Sequence, residues 1–288
     1  MELCAIILDY RGAHKTEVCL QSLVSQGIDT VLVVDNSADA LSSVRLAEVA
    51  ARLSMQGTDF ALHVLEPGKN LGFAGGVNYA LTHAAGQHCN TILLLNNDAS
   101  VAPGSILEMS HALAAGGASL VGPAIIDDDG ASQPMLWYQR YFGIQSKRAL
   151  PGSFPYLSGC CLLFQRELTI QGKLFDEKFF MYGEDALLGW RMTLEGKTVK
   201  LVESATVRHT GQSTLQKCTL FYEYHMARAH VLLAMKTFRN VAEIPLLLAS
   251  KSCGLALRAA RRCIRYKSAI PLWAFFLAWI PLNVRKTS

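Results

Sequence analysis

Two adjacent carboxylates, Glu184 and Asp185, stand in a Gly-Glu-Asp run directly before a helical pattern. Leu187, Trp190 and Leu194 recur after them at helical spacing. Both carboxylates should therefore lie in the first turn of a helix, where the helix dipole favours their ionised form. An ionised carboxylate in a cleft can accept the proton of an attacking hydroxyl group. Acidic residues also occupy first helical turns for structural reasons alone, so the pair leaves both interpretations open.

A second group of polar residues, Asn96, Asn97 and Asp98, follows the apolar run TILLL. Mg²⁺ and Mn²⁺ prefer oxygen ligands, and substrate phosphates complete their coordination, so this run could hold a metal beside a diphosphate. His209, in VRHTGQST, could add the nitrogen ligand that Mn²⁺ accepts. The alternatives are an Asx turn at a strand end and a histidine that only forms structural hydrogen bonds.

A glycine-rich segment, KNLGFAGGVNYAL, spans residues 69–81. Its Gly72, Gly75 and Gly76 lie where a helical pattern begins, and backbone N–H groups there could approach a phosphate or a sugar. The segment is not a dinucleotide-binding fingerprint, which would follow the first strand, and the sequence contains no G-x-x-x-x-G-K-[ST] run. A glycine-rich turn that is fixed by packing is the alternative explanation.

Short apolar runs at 3–8, 31–34 and 91–95 predict the elements that would position these residues. The first two runs end in Asp9 and Asp35, and continuous apolar runs of this length are typical of parallel strands buried on both faces. Helical patterns alternate with the runs, which predicts a Rossmann-like α/β fold with a mixed, mostly parallel sheet flanked by helices. Such sheets bind ligands beyond the carboxyl ends of their strands, so the polar residues that follow the runs are candidates for a site.

The alternation breaks after residue 125. A long aromatic and polar stretch leads to the apolar run YLSGCCLLF, which predicts one strand, and then to the acidic pair. From residue 216 onward the pattern is helical. The sequence therefore suggests a catalytic domain at 1–215, with halves at about 1–125 and 126–215, and a helical tail at 216–288.

The tail differs in charge from the rest of the chain. Residues 241–288 contain eight Lys or Arg against the single Glu243, although the formal net charge of the whole chain is only +4. The apolar stretch Ser268–Val284 follows the basic segment, and Pro271 and Pro281 interrupt it. This composition predicts an interfacial anchor on a membrane rather than a membrane span. The alternative is a helix that packs on the catalytic domain; nucleic acid fits poorly, because the rest of the chain is mildly acidic.

The first residues, MELCAIILDYRG, place no basic region before the apolar run, which argues against a signal peptide. The eight cysteines are scattered without a CxxC spacing, and most lie in apolar runs, which is typical of reduced and buried thiols. We therefore expect the chain to act in the cytoplasm, attached to the inner face of the cell membrane.

Taken in order, five segments resemble the family 2 glycosyltransferases of GT-A fold, in particular bacterial rhamnosyltransferase-like members. The segments are IILDYRG, VVDNS, NLGFAGGVNYAL, LLLNNDAS and FDEKFFMYGEDALLGWR, and HTGQS follows them. The similarity covers residues 3–235. It implies a metal-dependent, inverting transfer of a sugar from a nucleotide-sugar donor to a glycan or lipid-linked acceptor in cell-surface polysaccharide synthesis. Deoxythymidine-diphosphate rhamnose is the donor that the resemblance suggests.

The same resemblance gives roles to individual residues. Asp185 would be the catalytic base, with Glu184 beside it, and Asp98 and His209 would hold a divalent metal, Mg²⁺ or Mn²⁺. Together with the glycine-rich segment, the resemblance gives a donor-binding set of Asp9, Asp35, Gly75, Asn97 and Asp98.

Two other classes of protein stay open. A sugar-1-phosphate nucleotidyltransferase would use a similar sheet, but it calls for a glycine-rich, basic phosphate loop after the first strand, which DYRGAHK matches poorly. A non-catalytic, membrane-associated protein that binds nucleotide sugars would explain the tail without needing the acidic pair. Turnover of a nucleotide sugar distinguishes these classes from a glycosyltransferase.

Overall fold

The structure, a computed structural model, describes residues 2–83, 87–210 and 218–282. The end of the HTGQS segment at 211–213 and the end of the predicted tail at 283–288 lie outside the described residues. The first half of the chain alternates strands and helices, as the apolar runs predict. Its elements are β1 (Leu3–Asp9), α1 (Ala13–Gln21), β2 (Thr30–Asp35), α2 (Ala40–Gln56), β3 (Ala61–Leu65), α3 (Gly72–Thr82), β4 (Thr91–Asn96), β5 (Ala99–Val101) and α4 (Ser105–Ala114).

The second half is mixed. It contains β6 (Leu120–Asp127), β7 (Ser132–Gln133), β8 (Leu136–Gln139), β9 (Ile144–Ser146), β10 (Ser153–Tyr156), β11 (Cys161–Gln165), α5 (Glu184–Leu194), β12 (Val199–His209), α6 (Leu220–Lys236), α7 (Ile244–Tyr266) and α8 (Ile270–Leu277). Short 3₁₀ helices lie at Arg166–Leu168 and Val241–Glu243.

The main sheet has the strand order β3-β2-β1-β4-β11-β6-β12-β5, and β7 pairs with β6. β3, β2, β1 and β4 pair in parallel, as do β6 and β12. β11, β7 and β5 run antiparallel to their neighbours. The sheet is therefore mixed with most strands in one direction, as predicted.

The central strands are apolar because both faces of the sheet are covered. In β1, Ala5 and Ile7 pack on the side of α1, α2 and α4, whereas Cys4 and Ile6 pack on the side of α3 and α5. Alternate side chains of a strand point to opposite faces, so both sets must be apolar. Polar residues are thereby confined to the strand ends.

The run YLSGCCLLF does not form one strand, so that prediction was wrong. β10 ends at Tyr156 and belongs to a small antiparallel sheet of β10, β8 and β9, whereas β11 begins at Cys161 in the main sheet. Between them the backbone N–H of Gly159 donates to the Asp185 side chain. Two short apolar strands that are joined by a tight connection give the same hydrophobic pattern as one longer strand.

The C-terminal region is helical, as predicted, and α6, α7 and α8 pack on one another through Ala227, Val231, Leu255 and Ala278. α6 also joins an aromatic core with β8, β10 and α5, through Leu232 among others. The three helices thus pack on the rest of the fold, which is the alternative that the sequence left open. Within the described ranges, no helix is both long enough and apolar enough to cross a bilayer.

Candidate functional site

The carboxyl ends of β1, β2 and β4 lie side by side. Asp9 at the end of β1 is opposite Asp35 at the end of β2, and Leu8 is opposite Asn96 at the end of β4. These strands are parallel, so their ends form one edge of the sheet. This edge carries the polar residues that the sequence singles out.

Asp9 lies inside a network of hydrogen bonds below this edge and is fully buried. Its Oδ1 accepts from Thr16 Oγ1 at 2.6 Å and from Asn97 Nδ2 at 3.1 Å, and its Oδ2 accepts from Gly12 N at 3.2 Å. Asn97 Nδ2 also donates to Thr16 Oγ1 at 3.1 Å. Asp9 and Asn97 thus tie β1, α1 and the end of β4 together.

Asp35 is buried in the same way. Its Oδ1 accepts from Ser37 N at 2.9 Å, and its Oδ2 accepts from Ser43 Oγ at 2.7 Å. The next residue, Asn36, donates from Nδ2 to Gly72 O at 2.9 Å and accepts from Leu71 N at 2.8 Å. Asn36 therefore fixes the start of α3 at the end of β2, a role that the VVDNS segment did not reveal.

The glycines of the third segment sit where side chains would collide. Gly72 has a φ of +72°, and a Cβ there would lie 2.3 Å from Phe180 O. A Cβ on Gly76 would lie 2.6 Å from Leu8 Cδ2, and one on Gly75 would lie 3.0 Å from Leu71 Cβ. Close packing at the start of α3, on Phe180 and Leu8 and against the neighbouring Leu71, is consistent with the alternative explanation, a glycine-rich turn fixed by packing.

Asp98 and His209 come together although the sequence separates them widely. Asp98 Oδ1 lies 3.1 Å from His209 Nε2, because β5 pairs with β12 and His209 is opposite Ala99. Lys15 Nζ lies 3.8 Å from Asp98 Oδ2. Burial alone would raise the pKa of Asp98, but the hydrogen bond with His209 and the charge of Lys15 outweigh it, so the pKa is lowered.

The donor set is chemically suited to a divalent cation, since a carboxylate oxygen and an imidazole nitrogen are both ligands that Mn²⁺ accepts. Across the described ranges, no group of three or more His, Cys, Asp or Glu side chains is arranged to hold a metal. Asp98 and His209 therefore offer two protein ligands. Mg²⁺ and Mn²⁺ commonly complete such a set with phosphate oxygens and water.

Glu184 and Asp185 begin α5, as predicted, after the left-handed residues Tyr182 and Gly183. Asp185 is half-buried; its Oδ1 accepts from Ala186 N at 2.7 Å and its Oδ2 from Gly159 N at 3.2 Å. Glu184 is buried, and its Oε2 has no hydrogen-bond partner among the described residues.

Burial raises the pKa of both carboxyl groups, and the charge of Asp185 raises the pKa of Glu184 further. Backbone N–H groups at Gly159 and Ala186 act in the opposite direction on the pKa of Asp185. Two neighbouring carboxyl groups in a poorly solvated place cannot both ionise freely. The more exposed and better hydrogen-bonded Asp185 is the one that the surroundings equip to carry the charge.

Hydrogen bonds connect the acidic pair to the strand edge. Asn96 N at the end of β4 donates to Cys160 O at 2.8 Å, and the neighbouring Gly159 holds Asp185. A Cβ on Gly159 would lie 3.7 Å from Asp185 Cβ and 3.5 Å from Phe73 Cε1 of α3. The acidic pair, the start of α3 and the end of β4 thus face one region.

Sequence reasoning missed Lys15 and Gly159. Lys15 lies in the first turn of α1, directly after the β1 end, where helices of such folds approach bound phosphates, so its position was a usable signal. Gly159 gave no comparable signal, because its function depends on α5 reaching it from a distant part of the sequence.

The model of glycosyl transferase family 2 matches residues 4–172 of the chain. An N-acetylglucosaminyl-diphospho-decaprenol L-rhamnosyltransferase of Mycobacterium tuberculosis is 30% identical over 182 residues, covering 51% of this chain and 58% of the relative. The chain therefore spans little more than half of the curated relatives that it matches.

Two solved structures share the fold. Mannosyltransferase PcManGT from Pyrobaculum calidifontis, in complex with GDP-Man and Mn²⁺, has a TM-score of 0.59 at 16% identity, covering 97% of this chain and 85% of that one. S. aureus TarS in complex with UDP-GlcNAc has a TM-score of 0.59 at 14% identity, covering 96% and 79%. Both neighbours are GT-A glycosyltransferases, which confirms the predicted fold. With this fold and a family model that matches more than half of its residues, the chain belongs to glycosyl transferase family 2.

Proposed function

We propose that the protein is an inverting glycosyltransferase that moves a sugar, rhamnose being the first candidate, from a deoxythymidine-diphosphate donor to a lipid-linked acceptor. The curated relative is named for rhamnosyl transfer to an acceptor on a diphospho-decaprenol carrier. Its name supports the choice of rhamnose as the sugar and of a lipid-linked acceptor. Its family places the chain with enzymes that transfer sugars and not nucleotidyl groups. The reaction would serve cell-surface polysaccharide synthesis.

The observation that carries the proposal is the hydrogen-bonded path from the β4 end to Asp185 through Cys160 and Gly159. The path links a carboxylate of raised pKa to the end of β4, two residues before Asp98, whose side chain lies beside His209. Asp185 would take the proton of the acceptor hydroxyl group while the hydroxyl oxygen bonds to the anomeric carbon of the donor sugar. At the same time, the bond from that carbon to the diphosphate oxygen breaks. The nucleoside diphosphate leaves with that electron pair, and the configuration inverts.

Asp98 Oδ1 and His209 Nε2 would hold a divalent cation, Mg²⁺ or Mn²⁺. When bound, the cation supplies Lewis-acid neutralisation of the charge that grows on the leaving diphosphate. Lys15 stands 3.8 Å from Asp98 and would add a second positive charge on the same side. The mannosyltransferase PcManGT, whose structure contains GDP-Man and Mn²⁺, supports this assignment.

The donor pocket would be shaped by Asp9, Asp35, Gly75 and Asn97 as well as by Asp98. Asp9 and Asp35 would act through the backbone turns that they hold, because their oxygens already accept hydrogen bonds from the protein. Gly75 would act by leaving room for the Leu71 side chain at the start of α3, whose Cβ a side chain at position 75 would approach to 3.0 Å. The chain would divide into a donor half at about 1–125, an acceptor half at about 126–215 and a helical tail at 216–288.

The enzyme would work at the inner face of a membrane, where a lipid-linked acceptor presents its sugar. Support comes from the lipid carrier in the relative's name and from the excess of Lys and Arg after residue 241. A basic segment favours an anionic membrane surface.

The decisive test is Asp185→Asn, which keeps the size of the side chain and removes its proton affinity. We expect turnover to fall by at least about 10²-fold, while the dissociation constant for deoxythymidine-diphosphate rhamnose stays within a few-fold of wild type. Because burial raises the pKa of Asp185, wild-type turnover should fall as the pH drops through that raised pKa, and the variant should lose this limb.

Glu184→Gln is the matched control and should cost less. If Glu184→Gln is inactive and Asp185→Asn is active, the two roles are exchanged. If both variants turn over like wild type, the acidic pair only starts a helix and the mechanism has no base. Wild-type protein that binds nucleotide sugars but transfers none to any acceptor would favour the binding-protein alternative.

A further inference from the structure

α7 presents two different faces. Its inner face is buried at every fourth position, by Leu247, Lys251, Leu255 and Ala259. On the outer side Leu246, Leu257 and Ile264 are exposed, Ile264 by 79% of its surface. These three residues are separated by nearly whole numbers of helical turns, so they form one apolar stripe along the solvent side of the helix.

α8 repeats this arrangement. Pro271 and Ala274 are buried, whereas Trp273, Phe276 and Ile280 stay 64%, 59% and 54% exposed at spacings of three and four residues. Such spacings place them on one face of the helix and its following turn. α7 and α8 pack on each other. We call the exposed apolar residues on these faces of α7, α8 and the turn after α8 the docking face: Leu246, Leu257, Ile264, Leu272, Trp273, Phe276 and Ile280.

The inner contacts that hold the helices in place use no side chain of the docking face. Glu223 of α6 is fully buried and accepts from Arg258 at 2.9 Å and from Arg262 Nε at 2.6 Å. Tyr224 Oη donates to Ile280 O at 2.9 Å, and Arg228 Nη1 donates to Ala278 O at 3.0 Å. The apolar stripe is thus a fixed surface of the folded protein, and large exposed apolar surfaces of this kind mark interaction sites.

The charges around this surface indicate what covers it. Arg261, Arg265 and Lys267 are exposed beside the stripe, and the sequence has no acidic residue after Glu243. Apolar and aromatic side chains that are flanked by Lys and Arg suit the boundary between acyl chains and anionic headgroups. A second copy of the chain would bring the same positive charges together, which disfavours a contact between copies.

The same helices reach the site. Tyr182, two residues before Glu184, packs edge-on against Tyr222 of α6 with ring centroids 5.6 Å apart. The guanidinium carbon of Arg262 lies 5.4 Å from the Tyr222 ring. α6 therefore connects the segment before the acidic pair to α7, one of the two helices that carry the docking face.

We infer that the docking face inserts into the headgroup region of an anionic lipid bilayer and so fixes the orientation of the whole catalytic fold towards lipid-linked acceptors in that bilayer. The inference rests on the proposed transfer to such an acceptor. It adds that attachment is rigid, since the inner face of α7 belongs to the core of the protein. The tail therefore packs on the fold and binds the membrane at the same time, with opposite faces.

The test uses the chain of residues 1–288 without substrates and measures its sedimentation with vesicles of phosphatidylcholine, with or without phosphatidylglycerol. Wild type should bind the anionic vesicles more strongly. Trp273→Gln with Phe276→Gln should weaken that binding by at least about ten-fold, because two aromatic side chains lose their burial. Arg261→Gln and Arg265→Gln should each weaken it by about five-fold.

The matched control is Leu41→Gln with Val44→Gln on α2, where both side chains are also more than half exposed, at 57% and 55%. It should bind like wild type. Circular dichroism and thermal unfolding verify that each variant is folded. If the Trp273 and Phe276 variant does not fold, quenching of wild-type tryptophan fluorescence by brominated lipids in the anionic vesicles replaces it, and absence of quenching overturns the inference.

Equal vesicle binding by wild type and by a folded Trp273 and Phe276 variant would also overturn it. So would a wild type that ignores anionic vesicles but self-associates through these residues. Turnover with a soluble acceptor is measured separately on the same variants. Vesicle binding without any transfer would refute the proposed function but not the role of the docking face. Transfer by a protein that binds no vesicles would support the proposed function and refute the role of the docking face.

Discussion

Asp98 has two neighbouring side chains with different chemical roles: His209 lies 3.1 Å and Lys15 lies 3.8 Å from its carboxylate oxygens. The histidine supplies a second ligand-type atom, whereas the lysine supplies only charge. The lowered pKa of Asp98 keeps its carboxylate ionised at neutral pH, which a metal ligand requires. The residue therefore has the protonation state that the proposed function needs without any change in the fold.

Asp98→Asn should weaken Mn²⁺ binding by at least about ten-fold, since an amide oxygen carries no formal charge and even indirect partners of a metal contribute that much. Calorimetric titration of Mn²⁺ in the presence of deoxythymidine diphosphate measures the loss directly. Asp129→Asn, in the exposed turn before Gly130, is the control and should bind Mn²⁺ like wild type. Unchanged Mn²⁺ affinity in Asp98→Asn would remove Asp98 from the metal site.

Asp9 should matter for stability, because three donors converge on it in a buried place. Asp9→Ala leaves Thr16, Gly12 and Asn97 without that acceptor, and we expect the free energy of unfolding to fall by about 3 kcal/mol. Asp9→Asn keeps one acceptor oxygen and should lose less. Urea denaturation measures both. A small loss in the alanine variant, together with lost donor binding, would mean that Asp9 contacts the donor directly.

At the scale of elements, α7 buries Lys251, whose hydrogen-bond partner in the described part of the chain is a tyrosine and not a carboxylate. Lys251 Nζ donates to Tyr138 Oη at 2.6 Å, and the same oxygen lies 2.7 Å from His230 Nδ1. Burial lowers the pKa of Lys251 to about 6, and burial with the charges of Lys251 and Arg258 lowers the pKa of His230 to about 3. The contact between α7 and the β8 sheet is therefore built from groups that prefer to be neutral.

Lys251→Met should change how stability depends on pH. Between pH 6 and 10.5 the unfolded chain holds a proton on this lysine that the folded chain has released, so the contribution of Lys251 to stability should rise with pH across that window. The methionine variant lacks this contribution, so it should exceed wild type by about 1–4 kcal/mol near pH 6, and the difference between the two should shift in favour of wild type as the pH rises. His230 acts between about pH 3 and pH 6.5, so it overlaps this window only between pH 6 and pH 6.5.

Denaturation curves recorded from pH 6 to pH 10 provide the measurement. The exposed Lys200 is the control, and Lys200→Met should run parallel to wild type. Parallel curves for wild type and Lys251→Met would mean that the buried lysine stays protonated in the folded protein.

The sequence predicted some strands better than others. β1, β2 and β4 end at or next to the predicted residues, because strands buried on both faces give uninterrupted apolar runs with polar ends. β10 and β11 could not be separated by this criterion, since each is apolar and the division depends on which sheet each strand joins. The pairing of strands is not encoded in the hydrophobic period.

For the whole molecule, the order of the five landmarks was enough to indicate the fold, and the acidic pair proved to begin a helix as expected. The convergence of Asp98, His209 and Lys15 on one place depended on tertiary pairing that no local pattern expresses. The tail shows the same limit. Its composition suggested either a membrane anchor or a packed helix, whereas the structure gives α7 a buried face and an exposed apolar face.

The position of β12 has a consequence for how the protein is made. β12 lies between β6 and β5, and in the described part of the chain β5 pairs with β12 alone. During synthesis the N-terminal part of the chain leaves the ribosome first and can begin to fold. Until residues 199–209 emerge, β5 has no strand beside it and Asp98 has no His209. A growing chain, or one that is cut before β12, therefore contains the strands β1 to β5 but cannot yet bring Asp98 and His209 together, the pair that we propose as metal ligands.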